Sequence, residues 1–512
     1  MMKFKIKSVN EMSVDELIGQ VIMVGLPYTY LDEDYKEFIK KYKIGNFILF
    51  ARNYNDTKQM KSFMKELYEY TDKITDSFPL VSIDQEGGMV VRLFKDVTFP
   101  ASPLTTSATI VTDAPYITGK IIGKDMLSMG INLNLAPCLE INHNLENPLV
   151  NVRGYGATKE IVLENSSKFV HGIQASGALS CLKHFPGAGS STKDTHLEMC
   201  VVDESKENLI NYNMYPFLHL LDSDSLMSSH CIYSSFDSLP TTLSYEMLTK
   251  FVRKEIGFKG LIISDGMEMN AIKDEYGIGE GSVMALNAGC DILLLCHEYD
   301  DQKASFDAVK KAVEDGRLSI DLLKEKVERI NKAKEKVLNG LITNFKEEDY
   351  VINKEEHDLM QEIVDESYTQ ILGNKPYITP NTLIISSNAN VASIVEDEFD
   401  DRNLTKALKA SFSNNKIIGF KEKEQLLDIE KYENILIYSY DAYNDQNQKE
   451  VINEILQKHN NVYVISLKGP NDQKYFKGLV NYSCLYEYTP NSIRAVIRQL
   501  KQQKNLNGKL PK

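Results

Sequence analysis

Residues 183–196 read Lys-His-Phe-Pro-Gly-Ala-Gly-Ser-Ser-Thr-Lys-Asp-Thr-His, which places Asp194 and His196 two positions apart on a glycine-rich loop behind a short apolar run. A carboxylate that holds an imidazole can make it a proton donor or acceptor near neutral pH. Further along, Gly260-Leu-Ile-Ile-Ser-Asp265-Gly266 ends a second apolar run on a lone carboxylate. Such a group can attack carbon or stabilise positive charge. If both runs are strands of one sheet, their ends can face a common substrate.

The elements that must position these groups are legible up to about residue 300, where short β-type runs alternate with longer helix-like segments. The expected strands are Gln20–Val24, Phe47–Phe50, Leu80–Asp84, Gly130–Leu135, Ser180–His184, Leu226–His230, Leu261–Asp265 and Asp291–Cys296. Eight strands with crossovers match a (β/α)8 TIM barrel, with a doubly wound sheet as the alternative. Helices are expected over Asp56–Tyr70, with Met60, Phe63, Met64 and Leu67 on one face, and over Ser244–Ile256, with Leu248, Phe251 and Val252. These methionines and aromatics read as packing residues. From Asp301 to Ile371 the chain is helical and charged. After the turn signal Gly373-Asn-Lys-Pro376 a second alternation begins, with strands expected at Thr382–Ser386, Lys416–Phe420, Asn434–Tyr438 and Asn461–Ser466 and a helix at Gln448–His459. The 512 residues exceed what one core usually holds. We therefore expect a catalytic barrel with covering helices over 1–350, a helical linker over 351–377, and a smaller α/β sandwich domain over 378–512.

Residues at the carboxyl ends of barrel strands point into the mouth where substrates bind. That rule selects Asp84 and Glu86 after strand three, Lys183 and His184 at strand five, His230 at strand six and Asp265 at strand seven, with Arg92 and Arg153 on nearby loops. For each alone, a salt bridge, a cap or core packing is the competing reading. His184, His230 and Asp265 could also converge on a metal, which keeps a metal-dependent barrel hydrolase as an alternative, although the chain has no HxH or HExxH constellation.

Composition narrows the partners. The formal charge of −14 opposes nonspecific binding to nucleic acid and to anionic membranes. No apolar stretch is long enough to span a bilayer, and the basic start has no apolar signal core, so a cytoplasmic protein is expected. The seven cysteines, Cys138, Cys181, Cys200, Cys231, Cys290, Cys296 and Cys484, include no CxxC pair and read as small core residues in a reducing compartment. Gly187-Ala-Gly-Ser-Ser-Thr lacks the ordered glycines and lysine of a phosphate loop, so a nucleotide site is not expected.

The motifs Ile18-Gly-Gln-Val-Ile-Met-Val-Gly25, Gly45-Asn-Phe-Ile-Leu-Phe-Ala-Arg-Asn53, Ile83-Asp-Gln-Glu-Gly-Gly88, Asn134-Leu-Ala-Pro137, Lys183-His-Phe-Pro-Gly187, Asp194-Thr-His196, Pro240-Thr-Thr-Leu-Ser244 and Gly257-Phe-Lys-Gly-Leu-Ile-Ile-Ser-Asp265 occur in this order. Together the sequence resembles glycoside hydrolase family 3, in its bacterial β-N-acetylglucosaminidase branch, and the terminal region resembles the extra domain of two-domain members. The resemblance implies a retaining β-N-acetylhexosaminidase of carbohydrate metabolism acting on terminal β-linked N-acetylglucosamine, including muropeptide-like cell-wall fragments of peptidoglycan recycling. It implies Asp265 as nucleophile, His196 as acid/base, Asp194 as the holder of its imidazole, and sugar contacts from Asp84, Arg92, Arg153, Lys183 and His184, with His230 as a further pocket residue. No cofactor and no metal are called for, and a homodimer is compatible. Glu198 is not assigned as the acid. Ala188 stands where the family has a second histidine, Met89 where it commonly has arginine, and Cys200 and Gly266 also depart from near relatives. A catalytically altered sugar-binding protein is therefore the second alternative.

Overall fold

The computed structural model describes residues 4–142, 150–187, 200–346, 350–387, 403–421 and 428–511. Among these, eight strands form one closed barrel: β1 (Ile22–Gly25), β2 (Asn46–Leu49), β3 (Leu80–Ile83), β4 (Leu133–Asn134), β5 (Leu179–Phe185), β6 (Ser225–Ser228), β7 (Leu261–Gly266) and β8 (Ile292–Leu295). Each runs parallel to the next, and Ile22 of β1 pairs with Leu293 of β8 to close the ring. Closure selects the barrel over the doubly wound sheet. Every residue of β1, β2, β3, β6 and β8 is buried, because parallel strands here are covered on both faces, and this is why they read as short apolar runs.

The first long covering helix, Thr57–Thr75, starts where the Asp56 side chain accepts a hydrogen bond from the Gln59 amide at 2.8 Å. Its apolar stripe, Met60, Phe63, Met64 and Leu67, is buried as its spacing predicts, each side chain contributing roughly 2 kcal/mol of transfer free energy. Strand β4 is shorter than the expected run. Asn132 Oδ1 accepts from the Val81 amide at 2.8 Å, and Asn134 both accepts from the Gln85 amide and donates to the Gln85 carbonyl at 3.1 and 3.0 Å. The two amide side chains supply the partners that a longer ladder would have supplied to these buried peptide groups.

Asp125, on the helix Ala114–Ser128, is buried and accepts a hydrogen bond from Tyr350 Oη at 2.7 Å. Burial pushes its carboxyl up to about 7, against the smaller opposing effect of the Tyr350 hydrogen bond. A carboxyl raised in the folded state contributes stability that is present below about pH 4 and is lost as the pH rises through about 7. Asp125→Asn is expected to remove roughly 2–3 kcal/mol of this pH-dependent loss. Urea denaturation of both proteins at pH 5 and pH 8 checks it, and equal pH slopes would contradict it.

After the helix Lys354–Asp365 the chain builds a second sheet from β9 (Thr369–Leu372), β10 (Thr382–Ser386), β11 (Lys416–Gly419), β12 (Asn434–Ser439), β13 (Val462–Ser466) and β14 (Asn481–Cys484). The order is β9-β14-β13-β12-β10-β11, parallel except for the β9–β14 pair. Period-two alternation sends Ile384, Leu436, Tyr438 and Ile465 into one apolar layer and Leu383, Ile385, Ile435, Ile437 and Val464 into the other. Leu404 and Val496, from the helices Leu404–Ser411 and Pro490–Gln502, fill the first layer, and Ile452, from the helix Gln446–Lys458, fills the second. This smaller domain is thus a mixed sheet with flanking helices.

The loop that follows β3 rests on this domain. Glu487 accepts from the Ser102 amide at 2.7 Å, from Thr105 Oγ1 at 2.8 Å and from Thr489 Oγ1 at 2.6 Å, so a fully buried carboxyl is satisfied across the interface. Met89, Leu104, Ala108 and Val152 from the barrel side join the apolar layer that holds Tyr438 and Tyr486. Among the described residues no helix is long and apolar enough to cross a membrane.

Candidate active site

The barrel mouth is built by residues at and just beyond the strand ends. On β7 the buried run Leu261–Ile263 holds Asp265 half-buried, with the Gly266 amide donating to its Oδ1 at 2.8 Å. Two strands round the ring, beyond β6, lie Lys183 and His184 of β5; β3, with Asp84 just after it, is diametrically opposite β7. The carboxylates of Asp84 and Asp265 nevertheless act on the same thiols. Burial pushes Cys181 up to about 12, with Lys183 opposing and both carboxylates reinforcing, and Cys296 is raised by burial, Glu268, Asp265 and Asp84. Both carboxylates stand at the carboxyl ends of barrel strands, and those ends all open on one mouth.

Five charged side chains form a continuous row on the β3–β5 side. Arg92 Nη2 lies 3.9 Å from Asp84 Oδ2, Lys183 Nζ is 2.6 Å from Asp84 Oδ1 and 2.7 Å from Glu86 Oε1, and Arg153 meets Glu86 through Nε at 2.9 Å and Nη2 at 2.8 Å. Burial alone would raise the Glu86 carboxyl, but Arg153 and Lys183 outweigh it and hold Glu86 well below the usual carboxylate range. Burial would likewise lower Lys183, and Asp84 and Glu86 reverse that. Both groups are charged at neutral pH. Glu86 reaches this position because the Gln85-Glu-Gly-Gly88 segment turns back on itself: at Gly87, φ is +104° and a Cβ would stand 2.2 Å from the Ala101 carbonyl oxygen.

Beside this row, His184 Nδ1 lies 2.7 Å from Glu140 Oε1, which also accepts from the His184 amide at 2.9 Å, and Cys138 Sγ donates to Glu140 Oε2 at 2.6 Å. His230 is buried, with Nε2 at 2.9 Å from the Gly266 carbonyl and Nδ1 at 2.9 Å from Thr242 Oγ1. Since the carbonyl only accepts, Nε2 carries the proton, and the ring ties β6 to the backbone next to Asp265.

The structure thus brings Asp84, Arg92, Arg153, Lys183, His184 and Asp265 to one mouth and buries His230 against Thr242 and the Gly266 backbone. Asp194 and His196, with Ala188 and Glu198, lie outside the described residues. On either side of them, the Gly187 amide donates to the His184 carbonyl at 2.8 Å and the Cys200 carbonyl accepts from the Ile232 amide at 2.8 Å. Met89, read from sequence as a departure within the site, is core at the domain interface. The alternative in which His184, His230 and Asp265 converge on a metal is not the grouping found among the described residues. Among the described residues, the three donors close enough to share an ion are Cys138, Glu140 and His184, within 4.8 Å of one another, while both nitrogens of His230 are engaged elsewhere. Sequence reasoning did not assign Glu140 or recognise Glu86 as the hub of the charged row. For Glu140 the strand-end rule would have sufficed had strand four been carried past Leu135, because Cys138 forms an isolated parallel bridge to Lys183.

Comparison with known proteins points the same way. The Beta-hexosaminidase A of Pseudoalteromonas piscicida is 29% identical over 320 residues, which cover 56% of this chain and 54% of that protein. The Beta-hexosaminidase of Haemophilus influenzae (strain KW20/Rd) is 30% identical over 297 residues, 56% of this chain and 83% of the relative. The chain spans about half the length of the first relative and most of the second. Across both domains it is similar to a solved glycoside hydrolase family 3 β-N-acetylglucosaminidase from Paenibacillus sp. str. FPU-7, with a TM-score of 0.90, 30% identity and 98% of each chain covered. The family model for the glycosyl hydrolase family 3 N terminal domain matches residues 13–333, which span the whole barrel with Asp265 and the charged row. A closed barrel with those residues at its mouth, matched over more than half of the chain, makes this protein a member of glycosyl hydrolase family 3.

Proposed function

We propose that the protein is a retaining β-N-acetylglucosaminidase that hydrolyses terminal β-linked N-acetylglucosamine. The observation that carries this reading is the placement of Asp265 at the end of β7, across the mouth from the row Arg92, Asp84, Lys183, Glu86 and Arg153. In the proposed reaction Asp265 attacks the anomeric carbon as the glycosidic C–O bond breaks, and His196, held by Asp194, gives its proton to the leaving oxygen. His196 then takes a proton from water, which attacks the anomeric carbon and releases Asp265, so that two inversions give net retention. Asp84 keeps acceptor capacity for sugar hydroxyls beyond its bond to Lys183, and the row supplies donors for hydroxyls and the acetamido carbonyl. His230, which donates to the Gly266 carbonyl, supports the nucleophile's loop.

Muropeptide-like fragments fit this reading as substrates. Cytoplasmic residence is part of the same proposal, and the seven buried thiols support a reducing compartment. The test is the anomer first released from a β-N-acetylglucosaminide, followed by NMR. The β anomer is expected, and direct formation of the α anomer would refute retention. Running the same substrates with and without phosphate, with product mass analysis, identifies the acceptor.

A further inference from the structure

We propose that Glu140 is a positioning residue that fixes the proton of His184 on Nδ1 and so presents Nε2 to the substrate at the barrel mouth. The inference rests on the glycosidase reading for the identity of the substrate, but its geometry stands by itself. Glu140 Oε1 receives two donors from one residue, the His184 amide at 2.9 Å and ring Nδ1 at 2.7 Å. An ionised carboxylate has no hydrogen to donate, so Nδ1 must carry it. The other oxygen accepts from Cys138 Sγ at 2.6 Å, which leaves the carboxylate no freedom to turn away.

The charge state agrees. Burial would raise the Glu140 carboxyl, but its interactions with His184 and the hydrogen bond from Cys138 together bring it below its ordinary value, so it is ionised at neutral pH. Cys138 is held as the neutral thiol, raised by burial and by Glu140. Glu140 is 3% exposed, whereas the His184 side chain is 21% exposed. Among the described residues Nε2 has no recorded hydrogen-bond partner, so the ring is gripped at its buried edge and open at the other. The arrangement repeats the carboxylate–imidazole logic by which a buried acid selects a tautomer, here for a substrate contact rather than for a proton shuttle. Lys183, next in the chain, is occupied by Asp84 and Glu86, so the carboxylate paired with His184 is Glu140.

The test uses [15N]histidine-labelled full-length protein, with the His184 resonances identified by their loss in His184→Gln. Nδ1 should be protonated in the parent. Glu140→Leu, which keeps the bulk but offers no acceptor, should abolish this exclusive Nδ1–H state and lower kcat/KM on a β-N-acetylglucosaminide about tenfold or more. Glu140→Asp, which keeps the charge, should retain the Nδ1 proton and recover most of the rate. A bare Nδ1 in the parent overturns the proposal, and it requires no variant to fold. So does Glu140→Leu with a lowered Tm but unchanged tautomer and unchanged kcat/KM, the signature of a purely structural carboxylate. Stoichiometric zinc in the purified parent that is lost from Glu140→Leu would also overturn it, because the ion would then occupy the donors assigned to hydrogen bonds. If the parent hydrolyses no N-acetylglucosaminide, the functional reading fails while the tautomer still reports on Glu140.

Discussion

Asp265→Asn is expected to lower kcat on a natural β-N-acetylglucosaminide by about ten-thousand-fold or more while leaving the fold intact. The substitution is isosteric, and the amide oxygen can still accept from the Gly266 amide that now donates to Oδ1 at 2.8 Å. On the proposed mechanism, what the substitution removes is the negative oxygen that forms the bond to the anomeric carbon. His196→Ala separates from this variant by leaving group. It loses rate on a poor, natural leaving group, where protonation is required, and keeps part of the first step on a reactive aryl glycoside. Steady-state and burst kinetics on both substrates check the pair, and an Asp265→Asn enzyme within tenfold of the parent would end the nucleophile assignment.

Glu86→Ala is expected to cost about 3–5 kcal/mol of stability, the largest effect on folding anticipated for a single site here. Glu86 is 2% exposed and takes both the paired nitrogens of Arg153 and the ammonium of Lys183. Removing it withdraws one negative charge from between two buried cations, and alanine supplies nothing in return. Lys183 retains Asp84, but the bidentate partner of Arg153 is gone. Glu86→Gln keeps an acceptor and should cost less. The sign with pH follows from the depressed carboxyl: its stabilisation is fully present above about pH 4 and is lost as the pH falls below that. The gap between parent and Glu86→Ala should therefore be constant near neutrality and close in acid. Urea denaturation from pH 3 to pH 7 measures this, and a gap that widened in acid would contradict the assignment of Glu86 as the ionised hub.

The parts of this protein that are legible in its sequence are those in which each residue's environment depends on its near neighbours. Burial of a whole parallel strand writes itself as a run such as Leu261–Ile263, and burial of one helix face as the spacing of Met60, Phe63, Met64 and Leu67. The strand ends follow, and with them Asp84, Lys183, His184 and Asp265. Edge pieces are fainter. Thr369–Leu372 is a four-residue stretch of mixed polarity within the segment expected to be a helical linker, and it becomes β9 only because Asn481–Cys484 offers an antiparallel partner.

Pairing is a different matter. Glu86 meets Arg153 across 67 positions and Lys183 meets Asp84 across 99, and no local pattern distinguishes these charges from solvated ones. Met89 looks like a vacancy in the site until the second domain packs over it. Glu140 looks like one more acidic residue until β4 and β5 set it against His184, 44 positions away. The sequence by itself determined the periodic elements and which residue types stand at their ends, because periodicity records local burial. The tertiary structure decided which charges meet and which residues are core, because partner choice arises only when the barrel closes and brings distant strand ends within hydrogen-bonding reach.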